Sequence, residues 1–239
     1  MKKEIIGNTN VASEPAEKIE RRSLVKAMGA ATIAGLAVNA SKANAQADNS
    51  NRFMPMRHSE DAWLDELSGS HRVFIDTSFP LGGSDGLLYS ANLMNAHAQA
   101  YNGSDSDFAM VLCYRHISTP LAYNHNMWEK YGEIFNGIMN YPDPQTGEAP
   151  KLNILNSDEH AMFPGLTLDA MSARGVKIVI CANATGFFAG QVAASTDQDS
   201  DVVFDELVAN AMPGSRFVAA GVIATTRAQE YGYSLLYAG

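Results

Sequence analysis

The chain has 239 residues and a formal net charge of −9, and 46% of its residues are hydrophobic while 18% are charged. An apolar fraction of this size excludes a disordered chain, and the acidic balance argues against a nucleic-acid-binding protein, whose electrostatic footprint is basic. Two cysteines exclude a disulfide-dense scaffold and a zinc site made of four cysteines. No apolar run reaches the roughly 20 residues of a membrane-spanning helix, so we expect no stable membrane span.

Residues 1–47 have the layout of an export signal. A basic segment contains Arg21 and Arg22, a mildly apolar stretch follows at residues 27–38, and small residues surround Ala45 and Ala47. The paired arginines and the weak apolar segment favour the twin-arginine route, with its translocase as a partner during export. We therefore expect cleavage after Ala45 or Ala47 and a periplasmic location. An amphipathic N-terminal helix is the alternative interpretation.

Residues 48–71 are predicted to form a polar leader with a short helix, and residues 72–239 a single α/β domain. The apolar runs predict five strands, at residues 73–75, 108–113, 176–181, 217–222 and 234–237. Helical periodicity predicts helices between them, at residues 87–101, 127–138, 167–174, 185–194 and 201–211, and a short one before residue 232. Apolar strands that alternate with helices are typical of a mainly parallel sheet that is covered on both faces.

Local signals predict where several of these elements begin. The run Gly82-Gly83-Ser84-Asp85-Gly86 is interpreted as a flexible turn before the first helix, or as an anion cradle. Asp201 is predicted to cap one helix, and Thr226 with Gln229 has the spacing of a capping box for another. The proline- and glycine-rich residues 139–165 predict a long insertion, which in compact domains is usually functional or flexible.

Cysteines end or nearly end two of the predicted strands. Ligands of parallel sheets bind at the carboxyl ends of strands, and Cys181 lies there, directly before a helix whose dipole and free N–H groups favour a thiolate. Such a thiolate could attack, carry sulfur as a persulfide or ligate a metal, whereas the alternative is an inert buried residue. Cys113 is interpreted as packed core, or as a disulfide partner of Cys181 if the Cβ atoms lie about 3.5–4.5 Å apart.

Polar residues follow the same strand ends. Arg115 and His116 leave the second strand directly and could hold an anion, and His116 could act as a base. Three further residues, Asn126, Asn183 and Thr185, are candidate ligand-binding residues, although Asn126 or its neighbour Asn124 could instead cap a helix. A metal site made of His116, His125 and His160 is a less favoured alternative, because their spacing matches no metal motif. No cofactor is expected.

The C-terminal half resembles the DsrE/DsrF-like sulfur-relay family. The resemblance depends on the strand that ends in Cys181, on the small-residue run 217–222, and on Gln229-Glu230-Tyr231-Gly232-Tyr233 near the end. It implies a three-layer α/β/α domain with a five-stranded sheet, assembly into homo-oligomers, and a persulfide carried on Cys181. The chain departs from the family pattern at Phe187-Phe188, where those carriers often have a basic residue, and in the 139–165 insertion.

Two hypotheses of different classes follow. The leading one is an exported DsrE-like protein that binds or carries a small reduced-sulfur compound on Cys181, as a sulfur carrier or transferase-like protein. The alternative is a non-catalytic oligomeric module with a small-ligand pocket between residues 116–128 and the 139–165 insertion. A Cys181 side chain buried in an apolar core would favour the alternative.

Overall fold

The computed structural model describes residues 54–239, so the expected export signal and the first residues of the leader lie outside the described residues. Strands and helices alternate as α1 (Trp63–Glu66), β1 (His71–Thr77), α2 (Pro80–Tyr101), β2 (Phe108–Tyr114), α3 (His125–Met139), α4 (Leu168–Ala173), β3 (Lys177–Cys181), α5 (Ala182–Thr196), α6 (Ser200–Ala209), β4 (Arg216–Val218), α7 (Gly221–Glu230) and β5 (Ser234–Ala238). A 3₁₀ segment, His116–Ala122, follows β2. Within residues 54–239, no helix has the length and apolar character that crossing a membrane requires.

The five strands form one sheet in the order β4-β3-β2-β1-β5, and every pairing is parallel. The central strand β2 is buried at all seven positions, as its continuous apolar run predicts for a strand covered on both faces. Helices cover both faces of the sheet, so the predicted three-layer α/β/α fold class is confirmed.

The two helical layers differ in thickness. The thick layer contains α2, α3, α4, α5 and α6, and its core includes the edge-to-face aromatic side chains of Trp128, Phe135 and Phe188. Among residues 54–239, the thin layer contains α1 and α7 together with the two tyrosines before β5, Tyr231 and Tyr233. Trp63 and Leu64 of α1 are buried there, so the short helix at the end of the leader is part of the core.

The glycine run at residues 82–86 is helical, which makes the predicted turn wrong. α2 begins at Pro80, whose ring is suited to the first helical position. A Cβ atom on Gly82 would collide with the backbone carbonyl of Ala238, and one on Gly83 with the side chain of Leu121. The glycines therefore allow the start of a helix to pack tightly against the end of β5 and the 3₁₀ segment.

Two other predicted boundaries are also wrong. Asp199, not Asp201, caps α6, because its Oδ1 accepts the backbone N–H groups of Asp201 and Val202. β4 ends at Val218 and α7 begins at Gly221, so the predicted strand 217–222 is too long and Thr226 lies inside a helix. Periodicity cannot separate a short apolar strand from the buried start of a helix.

The 139–165 insertion is tied to the domain by polar contacts. The buried Nδ2 of Asn153 donates to the carbonyls of Leu121 and Tyr123, at 2.7 Å each. Within the insertion itself, Nε2 of His160 lies 3.1 Å from Oδ2 of Asp143, and its Nδ1 lies 3.0 Å from Oγ of Ser157. The insertion is therefore a packed loop against the thick layer.

Candidate functional site

Cys181 ends β3 and forms the N-cap of α5. Its Sγ atom accepts a hydrogen bond from the backbone N–H of Ala184, at 3.4 Å. The first N–H groups of a helix have no partner within the helix and form the positive end of its dipole. The side chain thus lies at the positive end of the α5 dipole, although the residue is only 6% exposed.

Cys181 lines a cavity of about 390 Å³ at the carboxyl ends of β2, β3 and β4. We call this cavity the Cys181 pocket. It brings together four of the six predicted site residues: Cys181, Arg115, His116 and Asn183. The remaining wall consists of Ile117, Ile138, Ala184, Phe187, Ala220, Gly221 and Val222.

Arg115 is held in this wall by a carboxylate. Its Nε and Nη2 atoms donate to Oδ1 and Oδ2 of Asp76, at 2.7 and 2.8 Å, in a bidentate pair. The hydrogen bonds to Asp76 raise the pKa of Arg115 further, so the guanidinium stays charged. Nη1 has no hydrogen-bond partner among residues 54–239. The pair therefore fixes a charged side chain in the wall of the pocket.

Asp76 is a site residue that the sequence analysis missed. It is buried at the end of β1, opposite Cys113 in the neighbouring strand. The sequence does contain a sign of this role, because Asp76 directly follows the apolar run Val73-Phe74-Ile75. A carboxylate at the end of a buried strand is expected to be buried, and a buried charge requires a partner of opposite charge.

Gly221 sets the distance between Arg115 and α7. A Cβ atom on Gly221 would lie 2.6 Å from Cβ of Arg115, too close for any other residue without a shift. α7 begins at this glycine, and Ala220 before it provides no side-chain cap. The N–H groups of Gly221 and Val222 therefore receive no side-chain cap from Ala220, and the N-terminal ends of α5 and α7 both lie at the pocket.

His116 lies at the mouth of the pocket in a left-handed conformation, with φ of 54°. Its ring packs edge to face on Phe79, with centroids 5.4 Å apart. After this turn the chain returns towards the end of β1, where the N–H of Ser118 donates to the carbonyl of Ser78. The sharp exit from β2 therefore directs Arg115 and His116 to the same side.

Two predicted ligand residues lie outside the pocket. Thr185 is fully buried, donates its hydroxyl to the carbonyl of Cys181 and accepts the hydroxyl of Tyr123. Asn126 is exposed in the first turn of α3, where Asn124 is the cap. Neither residue lines the Cys181 pocket, since Thr185 supports the backbone of Cys181 and Asn126 lies on the exposed surface of α3.

Cys113 is sealed in the thin layer and, like Cys181, is a free thiol. The register pairs it with Val179, so Cys181 lies two residues further along β3. Strand geometry then separates the two Cα atoms by about 8 Å, beyond the roughly 7 Å limit for a disulfide. Burial also raises the pKa of Cys113 well above its ordinary value, so this residue is inert core.

The three histidines of the metal hypothesis lie apart. Nδ1 of His125 accepts the N–H of Asn153, and His160 is engaged within the insertion, while His116 lies at the pocket. Residues 54–239 contain no group of three or more His, Cys, Asp or Glu side chains placed to hold a metal ion.

Comparison with known proteins does not indicate a function for this chain. The sequence matches no protein-family model and no curated protein. The solved structure of MTH1491 from Methanobacterium thermoautotrophicum, titled a protein of unknown function, covers 70% of this chain and 98% of its own, at 12% identity and a TM-score of 0.36. A likeness this weak supports no conclusion, and the fold class stands on the strand pairing of the chain itself.

Proposed function

We propose that this protein binds and carries a reduced sulfur atom on Cys181, the role implied by its resemblance to the DsrE/DsrF-like family. The observation that supports the proposal is the Cys181 thiol at the N-terminus of α5, in the wall of an open pocket that is also lined by Arg115. Carriers of this family often have a basic residue where this chain has Phe187-Phe188. In the described part of this chain, Arg115 is the positively charged residue that lines the pocket.

The transfer step needs no oxidant. The Cys181 thiolate attacks the outer sulfur of a persulfide R–S–SH, the S–S bond of the donor breaks, and R–S⁻ leaves with the proton given up by the Cys181 thiol. The products are Cys181–S–SH and R–SH. Arg115, the Ala184 N–H group and the positive N-terminal ends of α5 and α7 stabilise the anionic sulfur before and after the transfer, since partial positive charges at helix N-termini favour anions.

The direct test is a mass measurement. Exposure of the full chain to a small organic persulfide should add the mass of one sulfur atom to Cys181, and a thiol reductant should remove it. The Cys181→Ser variant should gain nothing. The Cys113→Ser variant is the matched control and should gain the adduct normally, because Cys113 lies outside the pocket. A wild-type chain that remains unmodified at Cys181 would exclude the carrier role.

A non-catalytic binding role is the second candidate, and the apolar side chains of Ile117, Ile138, Phe187 and Val222 around the pocket favour it. Its ligand would be a small organic anion, with the charge at Arg115. For this role the sequence predicts a pocket between residues 116–128 and the 139–165 insertion. In the structure the insertion instead lines two other clefts, which lie against α2. Binding of benzenesulfonate to the Cys181→Ser variant, with no sulfur adduct on wild type, would favour this candidate.

We also propose export by the twin-arginine route. The proposal depends on Arg21 and Arg22, which lie outside the described residues. Replacing both with lysine should retain the precursor in the cytoplasm, whereas Lys2→Arg and Lys3→Arg should leave export unchanged. Equal periplasmic recovery of the two double variants would contradict the proposal.

A further inference from the structure

Three polar side chains of the 139–165 insertion form a hydrogen-bonded chain. The Nε2 atom of His160 lies 3.1 Å from Oδ2 of Asp143, and Nδ1 of the same ring lies 3.0 Å from Oγ of Ser157. The side chains of His160 and Asp143 are only 6% and 13% exposed. A carboxylate, an imidazole and a hydroxyl in this order are the groups of a serine-nucleophile triad, which is identified by geometry and roles rather than by position in the sequence.

The carboxylate decides which nitrogen of the imidazole carries the proton. Burial opposes the ionisation of Asp143, but hydrogen bonds from the backbone N–H of Gln145 and from His160 bring its pKa below the ordinary value. An ionised carboxylate only accepts hydrogen bonds, so Nε2 of His160 carries the proton and donates to it. Nδ1 is then unprotonated and accepts the hydroxyl proton of Ser157. In this arrangement a histidine can act as a general base towards a serine.

Asp143 is itself held in place by a second connection. Its Oδ1 atom accepts the backbone N–H of Gln145 at 2.8 Å. The side-chain amide of Gln145 donates to the carbonyl of Glu159, the residue before His160, at 2.9 Å. The carboxylate is therefore fixed beside the imidazole, and an activated nucleophile requires a base that is oriented by such a third group.

A small apolar cavity lies beside the histidine. It has a volume of about 140 Å³ and is lined by His160 and by apolar side chains of α2 and the insertion, among them Leu87, Leu88, Leu155 and Leu166. For comparison, a cavity of about 150 Å³ holds a benzene-sized molecule. The cavity therefore has the size and the apolar character that suit a short hydrocarbon chain, such as that of a butyryl group.

We propose that Ser157, His160 and Asp143 form an acyl-transfer site that hydrolyses uncharged esters of short apolar acids. Ser157 is the nucleophile, His160 is the general base, and Asp143 is a positioning residue that orients the ring. The acyl chain of the substrate occupies the cavity beside His160. Asp85 lies in the cavity wall and Asp158 follows the nucleophile, so an anionic substrate is disfavoured by like charge.

The reaction needs only water as a co-reactant. Oγ of Ser157 attacks the carbonyl carbon of the ester while its proton passes to Nδ1 of His160. The C–O bond to the alcohol then breaks, and the alcohol leaves with the proton from Nδ1, which gives an acyl-serine and a free alcohol. Water attacks the acyl-serine in the same way, releases the carboxylic acid and restores the hydroxyl of Ser157.

This site is separate from the Cys181 pocket. Within residues 54–239, the lining of that pocket includes no residue of the 139–165 insertion. Ester hydrolysis therefore does not depend on sulfur chemistry, and Ser157→Ala should still gain the sulfur adduct on Cys181. The two proposals can fail independently.

Labelling of the full chain with a fluorophosphonate, which reacts with activated serines, tests the nucleophile. The probe should modify Ser157, as identified by mass spectrometry of its peptide, and Ser157→Ala should lose this label. His160→Gln should lower the labelling rate at least about 100-fold, the smaller of the usual contributions of a general base. Ser195→Ala is the matched control at an exposed serine of α5 and should be labelled at the wild-type rate. Ser157→Ala removes a single hydroxyl, so it tests the site even if His160→Gln loosens the insertion.

Hydrolysis of p-nitrophenyl butyrate tests the reaction, in a Cys181→Ser background so that this thiol does not contribute. Ser157→Ala should reduce hydrolysis to the uncatalysed rate. Asp143→Asn should lower the rate at least about 100-fold, because an amide nitrogen can donate to the ring and reverse its tautomer, whereas Asp143→Glu keeps the carboxylate and should recover part of the rate. A wild-type chain without label on Ser157, or hydrolysis that persists in Ser157→Ala, would overturn the proposal.

Discussion

Cys113 and Cys181 lie on neighbouring strands and on the same face of one sheet, yet their surroundings are opposite. Cys113 is within β2, fully buried, and its thiol has a raised pKa because burial disfavours the thiolate. Cys181 is two register positions further towards the carboxyl ends, at the start of α5 and in the wall of the pocket. The comparison teaches that the position along a strand, rather than the residue type, decides whether a thiol can meet a ligand.

The largest expected difference between the two cysteines is their reactivity. In the native chain, iodoacetamide should label Cys181 at least about a thousand-fold faster than Cys113, because Cys113 reacts only when the core opens. Mass spectrometry of the labelled peptides over time measures the ratio. In concentrated denaturant the two rates should become similar. Comparable rates in the native chain would show that burial does not distinguish these thiols.

The second prediction concerns Asp76, which connects the two regions. It lies opposite Cys113 and pairs with the guanidinium of Arg115, a residue that lines the pocket. Asp76→Ala should lower the free energy of unfolding by about 2–3 kcal/mol, because it leaves a largely buried cation without its partner. Urea unfolding measures the change.

The matched control for Asp76→Ala is Asp65→Ala. Asp65 also pairs with arginines, but its side chain is 56% exposed. Exposed ion pairs contribute about 0–1 kcal/mol, so this variant should remain close to wild type. In the double variant Asp76→Ala, Arg115→Ala, part of the loss should be recovered, since the unpaired cation is removed. Purely additive losses would show that the pair is not coupled.

The third prediction concerns the glycine at the pocket wall. Gly221→Ala should destabilise the fold by about 1–2 kcal/mol, because its Cβ atom would displace the side chain of Arg115. Gly190→Ala on α5 is the control. No atom lies within 4 Å of a Cβ added there, so alanine should stabilise the helix by about 0.5–1 kcal/mol. The opposite signs should be visible in thermal unfolding, and two stabilised variants would refute the close contact.

The sheet could be predicted because its strands are continuous apolar runs in the sequence. β2 has an unbroken apolar run and is buried at every position, so the pattern and the structure agree. The boundary between β4 and α7 was not predictable, because residues 217–222 are uniformly small or apolar. Its location depends on the close contact between Gly221 and Arg115, which lie over a hundred positions apart in the sequence.

The pocket was predictable in part for the same reason. Strand ends located Cys181, Arg115, His116 and Asn183, since the carboxyl ends of parallel strands meet at one edge. Asn126 and Thr185 are also close to strand or helix ends, but the direction of a side chain depends on the turn of helix on which it lies. Asp76 follows an apolar run, which indicates a buried carboxylate, but that pattern does not identify Arg115 as its bidentate partner.

The smallest expected effect is the dependence of stability on alkaline pH. The pKa of Cys113 is raised in the folded chain, so above the ordinary thiol pKa the unfolded state loses a proton that the folded state retains. Stability from this residue is therefore complete below the ordinary pKa and declines as the pH rises, by about 1 kcal/mol between pH 7.5 and pH 9.5. Urea unfolding of wild type and Cys113→Ala at several pH values measures the difference in slope. The alanine variant should be less stable throughout because of the cavity, but its curve should be flatter than that of wild type. Parallel curves would mean that the Cys113 thiol is not isolated from solvent. The contrast between a buried Cys113 and a Cys181 at the pocket would then be wrong for Cys113.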